Sequence, residues 1–233
     1  MDKKKIIVIC LCMCVLLTCL YIKNIKDKKI EENDSMKFKE EYESLNEKEN
    51  ESTGKEYLKV SIKENNPIKY ATYSEIKNII TSGTGVIYFG FPECPWCRNA
   101  VPVLLEAAED NGIDKVYYFN ALDIRDKKHL DENGNIVVDD EGTKEYKELV
   151  ELLYDYLDVY SGLNDDTIKR LYFPTVIFVK NGKIIGNHSG TVESQTDPSI
   201  VLNENEHNEL KKIYTNYMKT ISSNLCTDSH EKC

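Results

Sequence analysis

Two cysteines separated by two residues, Cys94 and Cys97, stand between an apolar run and the start of a helical pattern. The run at residues 86–89 is continuous and is followed by Gly90, so it predicts a buried strand. From Cys97 to Ala108, apolar residues recur at helical spacing. The sequence therefore predicts a strand, a short turn and a helix whose opening turn carries both sulfurs.

The opening turn of a helix suits a reactive thiol. Its N–H groups are unpaired and its dipole is positive, so a thiolate is stabilised there and its pKa can fall from about 8.5 to about 3.5–7.5. Cys94, nearer the helix end and more exposed, is predicted to attack a disulfide, and Cys97 to resolve the mixed disulfide. Pro95 fits the first turn, where no N–H is needed.

Other interpretations of the cysteine pair stay open. A structural zinc site needs four ligands, and no second cysteine pair or Cys-His cluster accompanies this one. A purely structural disulfide would close a very small loop and would stabilise the fold little. Two free buried cysteines are the third alternative. Redox chemistry is the favoured interpretation, and no metal or cofactor is predicted.

The surrounding pattern alternates strands and helices. A strand at residues 68–71 precedes a capping box formed by Thr72 and Glu75, and another strand follows at 116–120. This order predicts crossover connections and a parallel central pair of strands. Later come a strand at 175–179, a tight turn at Asn181-Gly182, a partner strand at 183–187 and a final amphipathic helix.

A long connection, residues 121–171, is predicted to be a helical insertion. After a polar turn at 131–134, apolar residues from Tyr146 to Tyr160 recur at helical spacing, and Gly162 ends that pattern. Asp165 and Asp166 are expected to cap a second short helix that reaches Leu171.

The stretch from Val86 to Leu104 resembles the active-site strand and helix of the thioredoxin superfamily. Pro102 matches the helix-kinking proline of that family, and Phe173-Pro174-Thr175 resembles its cis-proline loop. The resemblance spans about residues 68–222. It implies an α/β thioredoxin-like fold with a central mixed sheet flanked by helices, and thiol–disulfide exchange with protein substrates. Substrate would meet Pro95, Trp96, Phe173 and Pro174.

Two departures from the family pattern are notable. Tyr88 occupies the position, six residues before the first active cysteine, where thioredoxins carry a buried acid. The Pro-Trp dipeptide differs from the Gly-Pro of reductive thioredoxins, so oxidase, reductase and isomerase directions stay open.

The pattern is also similar to anchored thioredoxin-like accessory proteins of bacteriocin export, which implies a low-turnover adaptor as the alternative function.

The N-terminal 22 residues predict attachment to a membrane. Three lysines precede an apolar run at residues 6–22, which favours an uncleaved anchor with the domain facing outward. Lipidation at Cys19 and a cleaved signal are the alternatives. Residues 23–56 are highly charged and are predicted to be a solvated linker. The folded domain is expected at 57–224, followed by a tail at 225–233 in which Cys226 and Cys233 could pair.

Charge excludes one class of partner. The formal net charge is -10, and no basic stripe with interleaved aromatic residues is present. Nucleic-acid binding requires clustered Lys and Arg to neutralise phosphates. We therefore expect protein thiols and disulfides, not nucleic acids, as partners, while the physiological electron donor or acceptor is left open.

Overall fold

The computed structural model describes the backbone of residues 3–51 and 53–222. Side chains are described for residues 12, 13, 17–23 and 26, and from residue 33 onward within those limits. Most side chains of the predicted anchor, and the predicted tail with Cys226 and Cys233, therefore lie outside the described residues.

Five helices and eleven strands make up the described chain. The helices are α1 (Lys3–Glu43), α2 (Tyr73–Ser82), α3 (Pro95–Asp110), α4 (Lys144–Leu152) and α5 (Glu204–Ser222). The strands are β1 (Glu49–Asn50), β2 (Lys55–Glu56), β3 (Ile68–Tyr70), β4 (Gly85–Phe89), β5 (Val116–Phe119), β6 (Lys127–Leu130), β7 (Ile136–Asp140), β8 (Asp158–Val159), β9 (Lys169–Arg170), β10 (Thr175–Lys180) and β11 (Lys183–Ser189).

A five-stranded mixed sheet forms the centre, in the order β11-β10-β4-β5-β3. Strands β3, β5 and β4 run parallel, whereas β10 is antiparallel to both β4 and β11. The predicted parallel central pair and the hairpin turn at Asn181-Gly182 are confirmed. The architecture is mixed α/β and consistent with a thioredoxin-like fold.

Strand β4 is buried on both faces, as its uninterrupted apolar run predicts. Because successive side chains of a strand point to opposite faces, Val86 and Tyr88 enter one core, and Ile87 and Phe89 enter the other. The first core is covered by α1, α3 and α5, and the second by α2 and α4. Cys94 and Cys97 belong to the second core.

The prediction of a solvated linker over residues 23–56 is wrong for its middle part. Ser35, Phe38 and Tyr42 follow one another at helical spacing and are buried at the end of α1. Phe38 packs edge-on against Tyr118, with ring centroids 5.0 Å apart. The packed domain therefore begins well before residue 57. A few aromatic residues on one helix face outweigh the charged composition of the segment.

The insertion at 121–171 contains less helix than predicted. Helix α4 begins after the cap Thr143 and ends at Leu152, and a single 3-10 turn, Tyr154–Tyr156, follows it. Before it, β6 and β7 form an antiparallel hairpin. No helix forms at Asp165: Asp158–Val159 pairs with Lys169–Arg170 instead, because β pairing supplies the backbone hydrogen bonds that the expected helix would have supplied.

The predicted anchor falls within α1. In the part of the chain whose side chains are described, no helix has the length and hydropathy needed to cross a membrane. Cys19, the candidate lipidation residue, is exposed on α1.

The burial of α1 predicts a stability effect. Phe38→Ala should lower the free energy of unfolding by about 3–5 kcal/mol, because it removes a fully buried aromatic ring. Urea denaturation followed by circular dichroism measures this change. Glu40→Ala, on the exposed face of the same helix, is the matched control and should change stability little. An unchanged midpoint for Phe38→Ala would restore the solvated-linker interpretation.

Candidate active site

Cys94 caps the N-terminus of α3. Its backbone is extended (φ -73, ψ 117), and its Sγ accepts a hydrogen bond from the Cys97 N–H at 3.3 Å. Pro95 is the first helical residue, as its missing N–H predicts. The Cys97 N–H, which has no partner within the helix, therefore donates to the Cys94 sulfur. Both cysteines are free thiols.

A second loop meets Cys94 across the sheet edge. The peptide bond between Phe173 and Pro174 is cis, which confirms the prediction for this loop. The Cys94 thiol donates to the Phe173 carbonyl with a sulfur-to-oxygen distance of 3.6 Å. Antiparallel pairing of β4 with β10 places Thr175 opposite Phe89, so the sheet itself brings the two loops together.

The environment lowers the pKa of Cys94. The largest cause is a hydrogen bond from the Cys97 thiol, which stabilises the Cys94 thiolate. Burial acts in the opposite direction, whereas the N–H groups of Cys97 and Trp96 and the positive charge of Arg125 lower the pKa further. Cys94 is thus the thiol that ionises first.

Cys97 has the opposite character. It exposes none of its surface, whereas Cys94 exposes 6%. Burial raises the pKa of Cys97 well above its ordinary value, and its hydrogen bond to Cys94 raises it further. Hydrogen bonds from the Phe91 N–H and the Tyr88 side chain counteract part of this increase. Cys94 is more exposed than Cys97, as predicted, although even Cys94 is largely covered.

Arg98 fastens α3 to the N-terminal part of the domain. Its side chain is 1% exposed, and its guanidinium donates to the carbonyls of Tyr42 at 2.9 Å and Leu58 at 2.7 Å, and to Asn46 Oδ1 at 2.7 Å. It also reaches the carbonyl of Pro92 at 3.2 Å. These oxygens satisfy a buried cation that has no carboxylate partner among the described residues.

Arg125, from the insertion, lies beside the cis-proline loop. Its guanidinium carbon is 5.1 Å from the centre of the Phe173 ring. Burial and the nearby Arg170 lower the pKa of Arg125. Within the described residues Arg125 forms no ion pair, so its charge acts on the thiolate of Cys94.

A cleft of about 590 Å³ opens next to the cysteines and is lined by both Trp96 and Phe173. His188 lies in its wall and contacts the Thr191 carbonyl at 2.5 Å, and burial lowers the pKa of this imidazole. Pro95 lies on a different surface, next to Leu58 and Pro198. The structure thus places Trp96, Phe173 and Pro174 beside the thiols and Pro95 on the outer side of the turn.

Cys19 lies on α1 and is not part of this site, and Cys226 and Cys233 lie outside the described residues. Sequence reasoning missed Tyr42, Arg98 and Arg125. The spacing of Ser35, Phe38 and Tyr42 could have revealed α1 as a packed helix. No local pattern marks the two arginines, because their partners are distant in sequence.

Among the described residues, no group of His, Cys, Asp and Glu is arranged to hold a metal ion.

Comparison with solved structures finds similar chains, among them a thioredoxin. Thioredoxin O2 from Arabidopsis thaliana, solved in the oxidised state, is 16% identical; the match covers 55% of this chain and 85% of that chain, with a TM-score of 0.33. No protein-family model and no curated protein matches the sequence. Function therefore rests on the geometry of the cysteine pair.

The causes of the Cys94 pKa predict an order of effects. Alkylation of Cys94 by iodoacetamide should titrate below the pKa of about 8.5 of an unperturbed cysteine. Cys97→Ala should raise that pKa more than Arg125→Gln, because the Cys97 thiol is the largest stabilising partner and Arg125 the smallest named one. Mass spectrometry of the Cys94 peptide measures the rates.

Cys97→Ser is the matched control, since its hydroxyl can still donate to the Cys94 thiolate. It should retain more of the shift than Cys97→Ala. Equal pKa values in wild type, Cys97→Ala and Arg125→Gln would contradict this account of the site.

Proposed function

We propose that this chain is a thiol–disulfide oxidoreductase that exchanges disulfides with protein substrates through Cys94 and Cys97. The observation that carries the proposal is the position of Cys94 Sγ. It lies 3.3 Å from the Cys97 backbone nitrogen and 3.6 Å from the Phe173 carbonyl oxygen. One sulfur thus combines a thiolate-stabilising helix end with a neighbouring backbone edge that a client chain can approach.

The exchange takes place in two steps. The Cys94 thiolate attacks one sulfur of a client disulfide, so that a Cys94–client disulfide forms and the other client sulfur leaves as a thiolate. Cys97 then attacks Cys94, which forms the Cys94–Cys97 disulfide and releases the second client sulfur. The client gains two electrons and two protons, and the cysteine pair loses them. Run in reverse, the same steps oxidise a client dithiol.

Client recognition is assigned to the loop next to the thiols. An extended client segment would lie along Phe173 and Pro174, with an apolar side chain against Trp96 in the adjoining cleft. Backbone pairing suits clients of varied sequence, because main-chain groups are common to all of them. This assignment makes Trp96 a contributor to affinity and leaves the sulfur chemistry to the cysteines.

Covalent trapping tests the proposal. In Cys97→Ser the resolving thiol is absent, so mixed disulfides between Cys94 and client proteins should accumulate. Their abundance should rise at least about tenfold over wild type, since resolution normally removes them. Non-reducing electrophoresis followed by mass spectrometry identifies the linked cysteine.

The control replaces both cysteines by serine and should trap nothing. Absence of a Cys94-linked client in Cys97→Ser would contradict the oxidoreductase proposal.

The low exposure of Cys94, 6%, favours a low-turnover adaptor for peptide export as the second candidate. An adaptor would retain its partner non-covalently when both cysteines are serine.

We also propose that the N-terminal segment tethers the domain to a membrane, with the domain on the extracytoplasmic side. The support is the apolar run at residues 6–22 behind three lysines. The full-length chain should float with phosphatidylcholine vesicles in a density gradient and resist extraction at alkaline pH. Replacing Leu16 and Leu17 by Asp should abolish flotation, because charges are costly in the bilayer interior. Flotation unchanged by the aspartates would contradict a tether at this run.

A further inference from the structure

Two arginines from the insertion lie against the cis-proline loop. The guanidinium carbon of Arg125 is 5.1 Å from the centre of the Phe173 ring, and that of Arg170 is 5.7 Å from the centre of the Tyr172 ring. Two cations therefore lie over consecutive aromatic residues of the loop whose carbonyl contacts Cys94. Arg125 and Arg170 are called the arginine pair below.

The two rings under the arginine pair are themselves held in place. Phe91 packs edge-on against Phe173, with ring centroids 5.4 Å apart and planes at 86°. The Ser161 N–H donates to the Tyr172 hydroxyl at 2.7 Å. Because a guanidinium is attracted to the face of an aromatic ring, these fixed rings keep both cations beside the loop.

Most hydrogen-bond donors of the arginine pair are unused. A guanidinium carries five N–H groups. Arg170 makes a single hydrogen bond among the described residues, from Nη2 to the Asp126 carbonyl at 3.4 Å, and its Nε is buried without a partner there. Arg125 makes none within the same part of the chain. Since buried donors are nearly always hydrogen-bonded in proteins, the pair has bonding capacity left for an acceptor from outside the chain.

The charge of the arginine pair is also left without a counter-ion. Asp126, next to Arg125 in the sequence, is buried and forms its ion pair with Lys128. Asp158 stands opposite Arg170 where β8 pairs with β9, but no ion pair joins the two side chains. Both arginines are half-buried, in a chain whose formal net charge is -10. The pair is therefore a local positive site on an acidic protein, and partly buried cations favour an anionic partner.

We propose that the arginine pair binds a carboxylate side chain of the client, so that the protein selects clients with an acidic residue close to the reacting cysteine. This inference rests on the proposed function and names its client class. The planar guanidinium fork matches the two oxygens of a carboxylate. In an extended client, a residue two positions from the cysteine lies about 7 Å along the chain. That spacing carries its side chain from Cys94 past Phe173 to Arg125.

The probe is a pair of short peptides, each with one cysteine joined by a disulfide to the same coloured thiopyridine. The acidic peptide has Glu two residues before and two residues after its cysteine, and the neutral peptide has Gln at both places. The Cys94 thiolate attacks the peptide sulfur, so that a Cys94–peptide disulfide forms and the thiopyridine leaves. The protein is the full-length chain with its cysteines other than Cys94 and Cys97 replaced by serine.

Net charge and the arginine pair predict opposite preferences. Repulsion by a chain of charge -10 would make the neutral peptide react faster. The arginine pair should instead make the acidic peptide react about fivefold faster, and the difference should shrink in concentrated salt. Stopped-flow absorbance of the released thiopyridine gives the two rate constants. A faster reaction of the neutral peptide would overturn the inference.

The ratio of the two rate constants is then compared among variants. Arg125→Gln should abolish the acidic preference, and Arg170→Gln should reduce it about twofold. Lys183→Gln is the matched control: it removes the same charge at an exposed position, at the end of the β10–β11 hairpin remote from the cis-proline loop, and should keep the preference. Arg125→Gln also raises the pKa of Cys94, which changes both rates alike. A ratio unchanged by Arg125→Gln would therefore refute carboxylate binding.

A second readout keeps this inference separate from the proposed function. Trp96 is the only tryptophan of the chain and lines the cleft beside Phe173, so its fluorescence reports binding there. The same two peptides with serine in place of cysteine bind without any exchange. Tighter binding of the acidic peptide that is lost in Arg125→Gln supports the inference even if no client is ever trapped. Equal affinity for both peptides would refute it even if Cys94 traps clients.

Discussion

The meeting of a helix N-terminus and the Phe173 loop at one sulfur is the constraint on which this structure depends. Strand β4 leads directly to Cys94 at the start of α3. Because β4 pairs with β10, the Phe173 carbonyl oxygen lies 3.6 Å from the Cys94 sulfur. Neither loop could hold this geometry alone, because loops derive their positions from the elements that flank them. The geometry of the site is therefore a consequence of sheet pairing, and burial of β4 on both faces keeps that pairing fixed.

Unequal burial then gives the two thiols different tendencies to ionise. A thiol at the helix end, supported by N–H donors and by the Cys97 thiol, ionises readily, whereas the fully buried Cys97 holds its proton. Because each thiol affects the other, the proton is best described as shared by the pair and located mainly on Cys97. Arg125, on an element distant in sequence, lowers the pKa of Cys94 further.

Local patterns predicted the parts of the fold in which local and tertiary preferences agree. The capping box of α2, the glycine-flanked strand β4, the cysteine-capped helix α3 and the Asn181-Gly182 turn lie where the sequence places them. The linker prediction failed at Phe38 and Tyr42, because average composition conceals a few well-spaced aromatic residues. The insertion prediction failed after Leu152, because a distant partner strand at Lys169–Arg170 competes with helix propensity. In the site, the cysteines and Pro174 carry local signals, whereas Arg98, Arg125 and Tyr42 act only through contacts made after folding.

Equilibration with glutathione redox buffers tests the central claim most directly, because it asks whether Cys94 and Cys97 form a reversible couple. The protein is brought to equilibrium over a series of glutathione ratios, quenched with acid and alkylated, and the peptides are weighed. We expect one cooperative two-electron transition in which the Cys94–Cys97 disulfide replaces two alkylated thiols. A pair that stays reduced at every ratio, or a Cys94 that pairs only with glutathione or with another cysteine of the chain, would contradict it.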